Sequence, residues 1–346
     1  MCKGSKGETR NSKFEIRQSR LSKTSFEFRP PRRTSFAFLS ILLLLTFPAT
    51  ASAQEEEVVA NLAAGRVVVY VAKDGIVVAT LEERIEAGAR APVIFPLSGR
   101  RVAILMGAVE WVTPGTAGKP VRMAEELRRV SGQVAGPQRL QDEHATDIEG
   151  IGIGLLEPLR AAAGRLHHKI ELGAEEPLLE LVLVGYAPDY GPEVWSLKYR
   201  IAQEPLRGDY WRTRVLRPSY TQLYPPEKGQ PRRLVEMRYP PSERTEALIR
   251  LDDPRVARLR NSDASLARAA ESLQRGESNK AKLDDATLFL RTALAAVTSP
   301  ETAQAVAVIA ELRGFEWVLA PADAADERAA EEKPREPGAP TLRKKP

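Results

Sequence analysis

The sequence predicts an α+β fold, with two antiparallel-sheet regions followed by a C-terminal helical subdomain and a disordered C-terminal tail. In the first two thirds, β-branched runs alternate with Pro/Gly turns, which is typical of short strands. Alanine- and leucine-rich segments of helical period follow. The predicted segments are a β-rich domain at 58–135, an antiparallel β-meander domain at 147–240, a helical subdomain packed on the meander at 244–320, and a tail at 321–346.

The first 53 residues have the organisation of a signal peptide with a long n-region. An uncharged apolar run, Phe36–Phe47, follows Arg32 and Arg33 and leads to an Ala-Ser-Ala site, which predicts cleavage between Ala53 and Gln54. The run has about a dozen residues, whereas a membrane-spanning helix needs roughly 20. We therefore expect no stable membrane span after processing, with a retained anchor as the alternative. Sec export is favoured over the twin-arginine route, and the mature protein is expected in the periplasm or outside the cell.

Removal of this segment changes the charge and leaves a cysteine-free chain. The whole sequence has 51 Lys and Arg against 46 Asp and Glu, and residues 1–53 carry 10 and 3 of them. The mature chain thus has 51 − 10 = 41 basic and 46 − 3 = 43 acidic residues, a net charge near −2. This balance gives no support for a nucleic-acid partner. Without Cys2, the mature chain can form neither a disulfide nor a thiolate metal site.

In the N-terminal domain, two β-branched runs, Arg66–Ala72 and Ile76–Leu81, flank an Asp-Gly turn. This pattern predicts a β-hairpin, because glycine adopts the positive φ that a tight turn requires. Further strands are expected at Val93–Phe95, Arg101–Met106 and Ala108–Val112, and a helix at Arg122–Val130.

In the second region, Leu155–Ala163 predicts a short helix with Pro158 in its first turn. The short turns between the later runs favour antiparallel pairing, because parallel strands need long crossovers. The expected strands are Arg165–Leu172, Leu178–Tyr186, Val194–Gln203, Tyr210–Leu216 and Arg233–Tyr239.

The last third carries helix signals. Gly276 and Gly314 stand where helices end, and Pro300 follows a cap residue at the start of the final segment. The predicted helices are Pro254–Arg260, Ala264–Arg275, Asp284–Val297 and Pro300–Arg313. Phe315–Leu319 is expected to dock on the body.

Three histidines, His144, His167 and His168, are the only ones in the chain. Imidazoles with nearby carboxylates are a workable metal-ligand set, so a metal-dependent or acid-base hydrolase is one alternative function. On a strand, however, His167 and His168 point to opposite faces. We therefore expect His168 to be half-buried beside Leu166 and Ile170, and we predict neither a metal nor a cofactor.

Two other patterns have structural explanations. The Gly-Ile-Gly-Ile-Gly run at 150–154 does not match the glycine spacing of a nucleotide-binding loop and predicts a flexible connection. The carboxylate pairs Asp252-Asp253 and Asp284-Asp285 precede predicted helices, where carboxylates stabilise helix N-termini. We find none of the common serine-hydrolase or zinc-protease spacings in the mature chain.

Between Leu178 and Tyr239 lie seven of the eight tyrosines, which makes this stretch the best candidate for an interaction surface. If Tyr210–Leu216 is a strand, Tyr210, Arg212 and Arg214 share one face, opposite Trp211 and its neighbours. Exposed Tyr and Arg make good contact surfaces. We predict an exported, non-enzymatic binding module that uses this face to contact another envelope protein or a cell-wall glycan. A solvated structural face is one alternative, and a scaffold that oligomerises through the C-terminal helices is another.

Overall fold

Two antiparallel sheets form the centre of the molecule in the computed structural model. The structure describes residues 58–82, 90–98, 100–113, 119–134, 144–173, 175–187, 191–208, 210–241, 246–298 and 304–321. The predicted signal peptide with its cleavage site at Ala53 and Gln54, and nearly all of the predicted tail, lie outside these ranges. The described residues all belong to one compact unit, Gln54–Pro346.

The secondary-structure elements confirm the α+β class. The strands are β1 (Val59–Ala63), β2 (Gly65–Val71), β3 (Gly75–Glu82), β4 (Val93–Ser98), β5 (Arg101–Val112), β6 (Val121–Arg122), β7 (Leu179–Ala187), β8 (Gly191–Tyr199), β9 (Ile201–Pro205), β10 (Trp211–Val215), β11 (Ser219–Tyr224), β12 (Val235–Tyr239), β13 (Gln304–Ala310) and β14 (Gly314–Leu319). The α-helices are α1 (Met123–Val134), α2 (His144–Ala163), α3 (Pro254–Arg260), α4 (Ala264–Gln274) and α5 (Leu283–Val297).

Strands from the two predicted sheet regions, 58–135 and 147–240, pair with each other within the same sheets. One seven-stranded sheet has the order β1-β5-β7-β8-β11, with β4 and β6 also paired to β5, and a five-stranded sheet has the order β12-β2-β3-β13-β14. Strands β9 and β10 form a separate two-stranded hairpin. The named strand pairs are antiparallel, including β5 with β7 and β12 with β2, so both large sheets draw strands from residues 58–135 and from residues 147–240.

The two sheets stack face to face, and helices cover both outer faces. The inner core contains Val102 and Val182 from the seven-stranded sheet and Val69, Val78 and Ala307 from the five-stranded sheet. On the outside of the larger sheet lie α1 and α2, and α3 to α5 lie on the outside of the smaller sheet. Each central strand therefore buries both of its faces, which explains why β3, β5 and β7 are almost continuously apolar.

Helices α3 to α5 were expected from the sequence and are confirmed, with Asp253 as the N-cap of α3. The Asp253 side chain accepts a hydrogen bond from the Arg255 backbone N–H at 2.8 Å, as the capping interpretation predicted. The helices bury residues such as Phe289 and Leu290 against β2, β3 and β13 of the five-stranded sheet. The Asp-Gly hairpin is also confirmed, because β2 and β3 pair across it.

The helix predicted at Pro300–Arg313 is wrong in its described part, where β13 and β14 form a hairpin. Strand β13 lies between β3 and β14, with Val306 and Val308 facing the helices and Ala307 and Ile309 facing the inner core. Alanine has the highest helix propensity, but the preference is below about 1 kcal/mol per residue, and burial of the β-branched residues on two faces outweighs it.

Two further predictions around residue 160 are wrong. Helix α2 begins at His144 and includes the Gly-Ile-Gly-Ile-Gly run that was expected to be a flexible connection. Glycine is required there for close helix packing, because a Cβ on Gly154 would lie 2.4 Å from a methyl carbon of Val130 on α1. The expected strand Arg165–Leu172 is absent, since residues 166–173 belong to no strand and the chain bends at His168.

Candidate functional site

The β9–β10 hairpin carries the residues that the sequence singled out. Its strands pair in a regular antiparallel register, with Arg212 opposite Glu204 and Arg214 opposite Ala202. Because side chains alternate across a strand, both arginines project from the same face. The backbone N–H of Leu206 donates to the carbonyl oxygen of Tyr210 at 2.8 Å, which continues this register into the turn.

The inner face of the hairpin is held against the body of the protein. Thr213 and Val215 are buried there, and Trp211 is half-buried. The Gln203 side chain connects β9 to two neighbours: its amide nitrogen donates to Thr213 Oγ1 at 2.8 Å, and its oxygen accepts from the Ile170 N–H at 2.9 Å. Arg160 of α2 donates to the Val215 carbonyl oxygen at 3.2 Å. Contacts of its inner face thus fix the hairpin to the body of the protein.

The opposite surface, which we call the outer hairpin face, presents Leu206, Tyr210, Arg212, Arg214 and Leu216, with Ala202 and Glu204 of β9 on the same side. Tyr210 is 61% exposed, Leu206 49% and Leu216 38%, and both arginines are exposed as well. The alternation predicted from the sequence is therefore present in full. Leu206 and Tyr210 are neighbours at the turn, and Leu216 is exposed at the other end of β10.

The arginines of this face have no internal role in the described structure. Neither Arg212 nor Arg214 forms an ion pair or a side-chain hydrogen bond with any described residue. Glu204, which lies opposite Arg212, is exposed and is the acidic residue closest in register. An arginine in this situation retains its full set of five donors for an external acceptor. The outer hairpin face therefore combines exposed apolar side chains with cationic donors that form no bond to a described residue.

The histidines do not converge on a site in the described structure. His167 is half-buried, and its ring lies edge-on to the ring of Tyr210, with 6.0 Å between centroids. His168 is exposed, so the prediction that it would be half-buried is wrong. The reason is that residues 166–173 do not form a strand, and strict alternation does not apply. His144 begins α2, and its side chain lies outside the described part of the structure.

The alternative hydrolase function would require a cluster of metal ligands or a pair of acidic residues. Within the described ranges, no group of three or more His, Cys, Asp or Glu residues is arranged to hold a metal ion. Asp252 accepts two hydrogen bonds from Arg250, and Asp285 accepts two from Arg268. The hydrogen bonds from Arg268 lower the pKa of Asp285. These carboxylates are engaged in ion pairs at helix starts.

One member of the outer hairpin face, Leu206, was missed in the sequence. The signal was present, because Leu206 lies four residues before Tyr210 across a tight turn that includes Gly208, and this spacing places both on one face. The sequence matches no protein-family model and no curated protein. Among the described residues, no helix is both long enough and apolar enough to cross a bilayer.

Proposed function

We propose that the mature protein is an exported, non-enzymatic binding module whose outer hairpin face contacts another component of the cell envelope. The observation that carries the proposal is the pair of arginines, Arg212 and Arg214, exposed between apolar side chains on a hairpin fixed from behind. Rigid presentation lowers the entropic cost of binding, because the backbone does not have to be ordered on contact. The signal-peptide pattern at residues 1–53 supports an envelope location.

A protein partner fits this surface better than a glycan does. Tyrosine and arginine are the residue types most enriched at the energetic centres of protein interfaces, and apolar neighbours exclude water from their hydrogen bonds. Binding sites for small groups such as sugars are concave pockets with a few placed polar groups, whereas the outer hairpin face is an exposed strand surface. Trp211, the only tryptophan of the hairpin, lies on its inner face under Lys169, whose ammonium is 5.8 Å from the ring centroid.

The decisive experiment uses the mature chain, residues 54–346, as bait for solubilised envelope proteins. The test variant carries Tyr210→Ser, Arg212→Ser and Arg214→Ser. We expect it to lose the captured partner while its melting temperature stays within about 2 °C of wild type, because exposed substitutions rarely change stability by more than about 0.5 kcal/mol. A folded variant that still captures the partner would contradict the proposal.

A matched control comes from the helical surface. Leu288 and Arg291 lie on α5, and both are exposed. The double variant Leu288→Ser with Arg291→Ser should keep the partner. If this control loses the partner or changes the oligomeric state while the hairpin variant does not, the result favours the scaffold alternative. Sedimentation with purified cell-wall sacculi tests the glycan partner in parallel. If the wild type sediments with the sacculi and the hairpin variant does not, the partner is a glycan.

A further inference from the structure

A cavity of about 610 Å³ lies next to β12, an edge strand of the five-stranded sheet. Its walls come from three segments: β12 and the residues before it, the stretch 247–252, and the C-terminal end of α4. This volume falls within the range of small-molecule sites, which is roughly 300–1,000 Å³. The outer hairpin face contributes none of the lining residues.

The cavity walls are fixed by contacts that do not involve a ligand. Glu236 of β12 accepts hydrogen bonds from the backbone N–H groups of Leu248 at 2.7 Å and Ile249 at 3.3 Å, which ties the stretch 247–252 to the sheet. At the α4 end, the Arg232 N–H donates to the Gly276 carbonyl oxygen at 2.8 Å. Ile249 and Leu273 are both buried in the helix-side core. The cavity is therefore preformed.

The lining is apolar in its deeper part. Leu234, Ile249, Leu251 and Leu273 contribute aliphatic side chains, and Leu234 and Leu251 remain only partly covered. Filling this space with the apolar part of a ligand removes water from aliphatic surface, which is favourable by roughly 25 cal/mol per Å². The apolar lining accordingly selects a ligand with a hydrocarbon or aromatic body.

The cavity lining contains two arginines and two carboxylates, and Arg233 is the arginine that pairs with neither carboxylate. Both carboxylates of the lining already have partners: Glu236 accepts the two backbone N–H groups, and Asp252 accepts from Arg250 at 2.7 and 3.1 Å. Arg233 lines the cavity, is exposed, and pairs with no acidic residue among those that the structure describes. Its guanidinium is suited to a planar carboxylate or another small anionic group.

We propose that this cavity binds a small amphipathic anion, with the apolar body against the leucines and the anionic group on Arg233. A pair of fluorescent probes tests both halves of the proposal with the mature chain. 1-Anilinonaphthalene-8-sulfonate has an aromatic body and one sulfonate, and N-phenyl-1-naphthylamine is the same body without the charge. The wild type should bind both probes, and the sulfonate should bind more tightly.

Three variants separate the contributions. Arg233→Met should weaken sulfonate binding about tenfold, the effect of losing one charge-assisted hydrogen bond, and change binding of the neutral probe less than twofold. Ala247→Trp, at an exposed position of the lining, should fill the cavity and abolish binding of both probes; Gln274→Trp does the same from the α4 side if the first variant is unstable. Arg291→Met, at an exposed arginine of α5 outside the cavity lining, is the matched control and should change neither affinity.

The proposal is overturned by any of three results: wild type binds neither probe, Arg233→Met and Arg291→Met weaken the sulfonate equally, or a folded cavity-filling variant still binds both probes. Thermal unfolding of each variant establishes that it is folded. Because the cavity and the outer hairpin face share no residues, loss of envelope-partner capture and loss of probe binding are independent outcomes.

Discussion

Arginine side chains have opposite surroundings in two regions of this molecule, the outer face of the seven-stranded sheet and the outer hairpin face. In the sheet, Arg101, Gly185 and Glu193 occupy one row across β5, β7 and β8. Gly185 leaves room for the arginine to cross the middle strand, since a Cβ there would lie 3.0 Å from the Cβ of Arg101. Arg101 Nη2 and Glu193 Oε1 are 2.6 Å apart, and both residues are buried.

On the outer hairpin face, Arg212 and Arg214 also lie on a strand between apolar neighbours, but no described carboxylate reaches them. All three arginines lie on strands, and they differ in whether a neighbouring strand supplies a carboxylate that pairs with the guanidinium. A buried, paired arginine stabilises the fold and is not available for binding, whereas an exposed one without an ion pair can bind an external acceptor. An arginine-bearing strand can therefore serve as a binding surface only when no carboxylate on a neighbouring strand pairs with the arginine.

The largest expected effect is at Arg101. Arg101→Met leaves the buried carboxylate of Glu193 without its guanidinium, retaining the hydrogen bond that Trp195 Nε1 donates at 2.8 Å. Breaking a buried ion pair by removing one partner costs about 3–5 kcal/mol. Urea unfolding of the variant should show a loss of this size in the free energy of unfolding.

Adding Glu193→Gln to Arg101→Met should recover a large part of that loss, because the isolated charge is removed. A loss below about 1 kcal/mol for the single variant would mean that the pair is not structurally important. The contrast between the buried and the exposed arginines would then disappear.

A second effect is expected at Glu110 of β5, which accepts hydrogen bonds from Arg122 Nε and Asn61 Nδ2, each at 2.9 Å. These bonds, with the one from Arg122 the larger cause, lower the pKa of the carboxyl group. Its stabilising contribution is therefore present above the unfolded-state pKa, near 4.3, and is lost as the pH falls through the folded-state pKa. Glu110→Gln should cost about 1.5 kcal/mol at pH 7 and less below pH 4 in urea titrations. A penalty independent of pH would exclude the ionic explanation.

The reverse pH dependence is expected at Glu180, which lies on the inner face of β7. Burial raises the pKa of this carboxyl group, although Ser196 Oγ donates to it at 2.5 Å. Because the folded-state pKa is raised, its favourable contribution is complete below the unfolded-state pKa and is lost as the pH rises through the folded-state pKa.

Glu180→Gln should therefore stabilise the protein by about 1 kcal/mol at pH 8 relative to wild type, and by less at pH 5. Urea unfolding at both pH values measures the difference. If the variant is equally destabilised at both pH values, the hydrogen bond from Ser196 outweighs the cost of burying the charge. Glu180 would then be a stabilising buried carboxylate, as Glu193 is in its pair with Arg101.

The sequence was sufficient to predict features that depend on neighbouring residues. The β2–β3 hairpin followed from Asp-Gly, the α3 cap from Asp253, and the two faces of β10 from alternation around Arg212. Each of these depends on contacts within a few residues, where the local backbone geometry decides the outcome.

Features that depend on distant contacts could not be predicted in the same way. Strand β13 was mistaken for a helix because one of its two partner strands, β3, lies more than two hundred residues away in the chain. The cavity at Arg233 is formed by three separate segments, so no single pattern indicated it. Likewise, the burial of His168 could not be predicted by alternation, because residues 166–173 form no strand and Gln203 of β9 binds the Ile170 backbone instead.

The smallest expected effect is on the outer hairpin face. Arg212→Ala with Arg214→Ala removes two exposed cations that form no ion pair with described residues, and it relieves the repulsion between like charges on one face. Exposed substitutions of this kind change stability by less than about 0.5 kcal/mol. Thermal unfolding at low and high salt measures this directly, and the salt dependence should decrease as the positive charge is removed. A loss above about 1 kcal/mol would show that the arginine stems stabilise the hairpin, so that the face belongs with the structural arginines of the sheet.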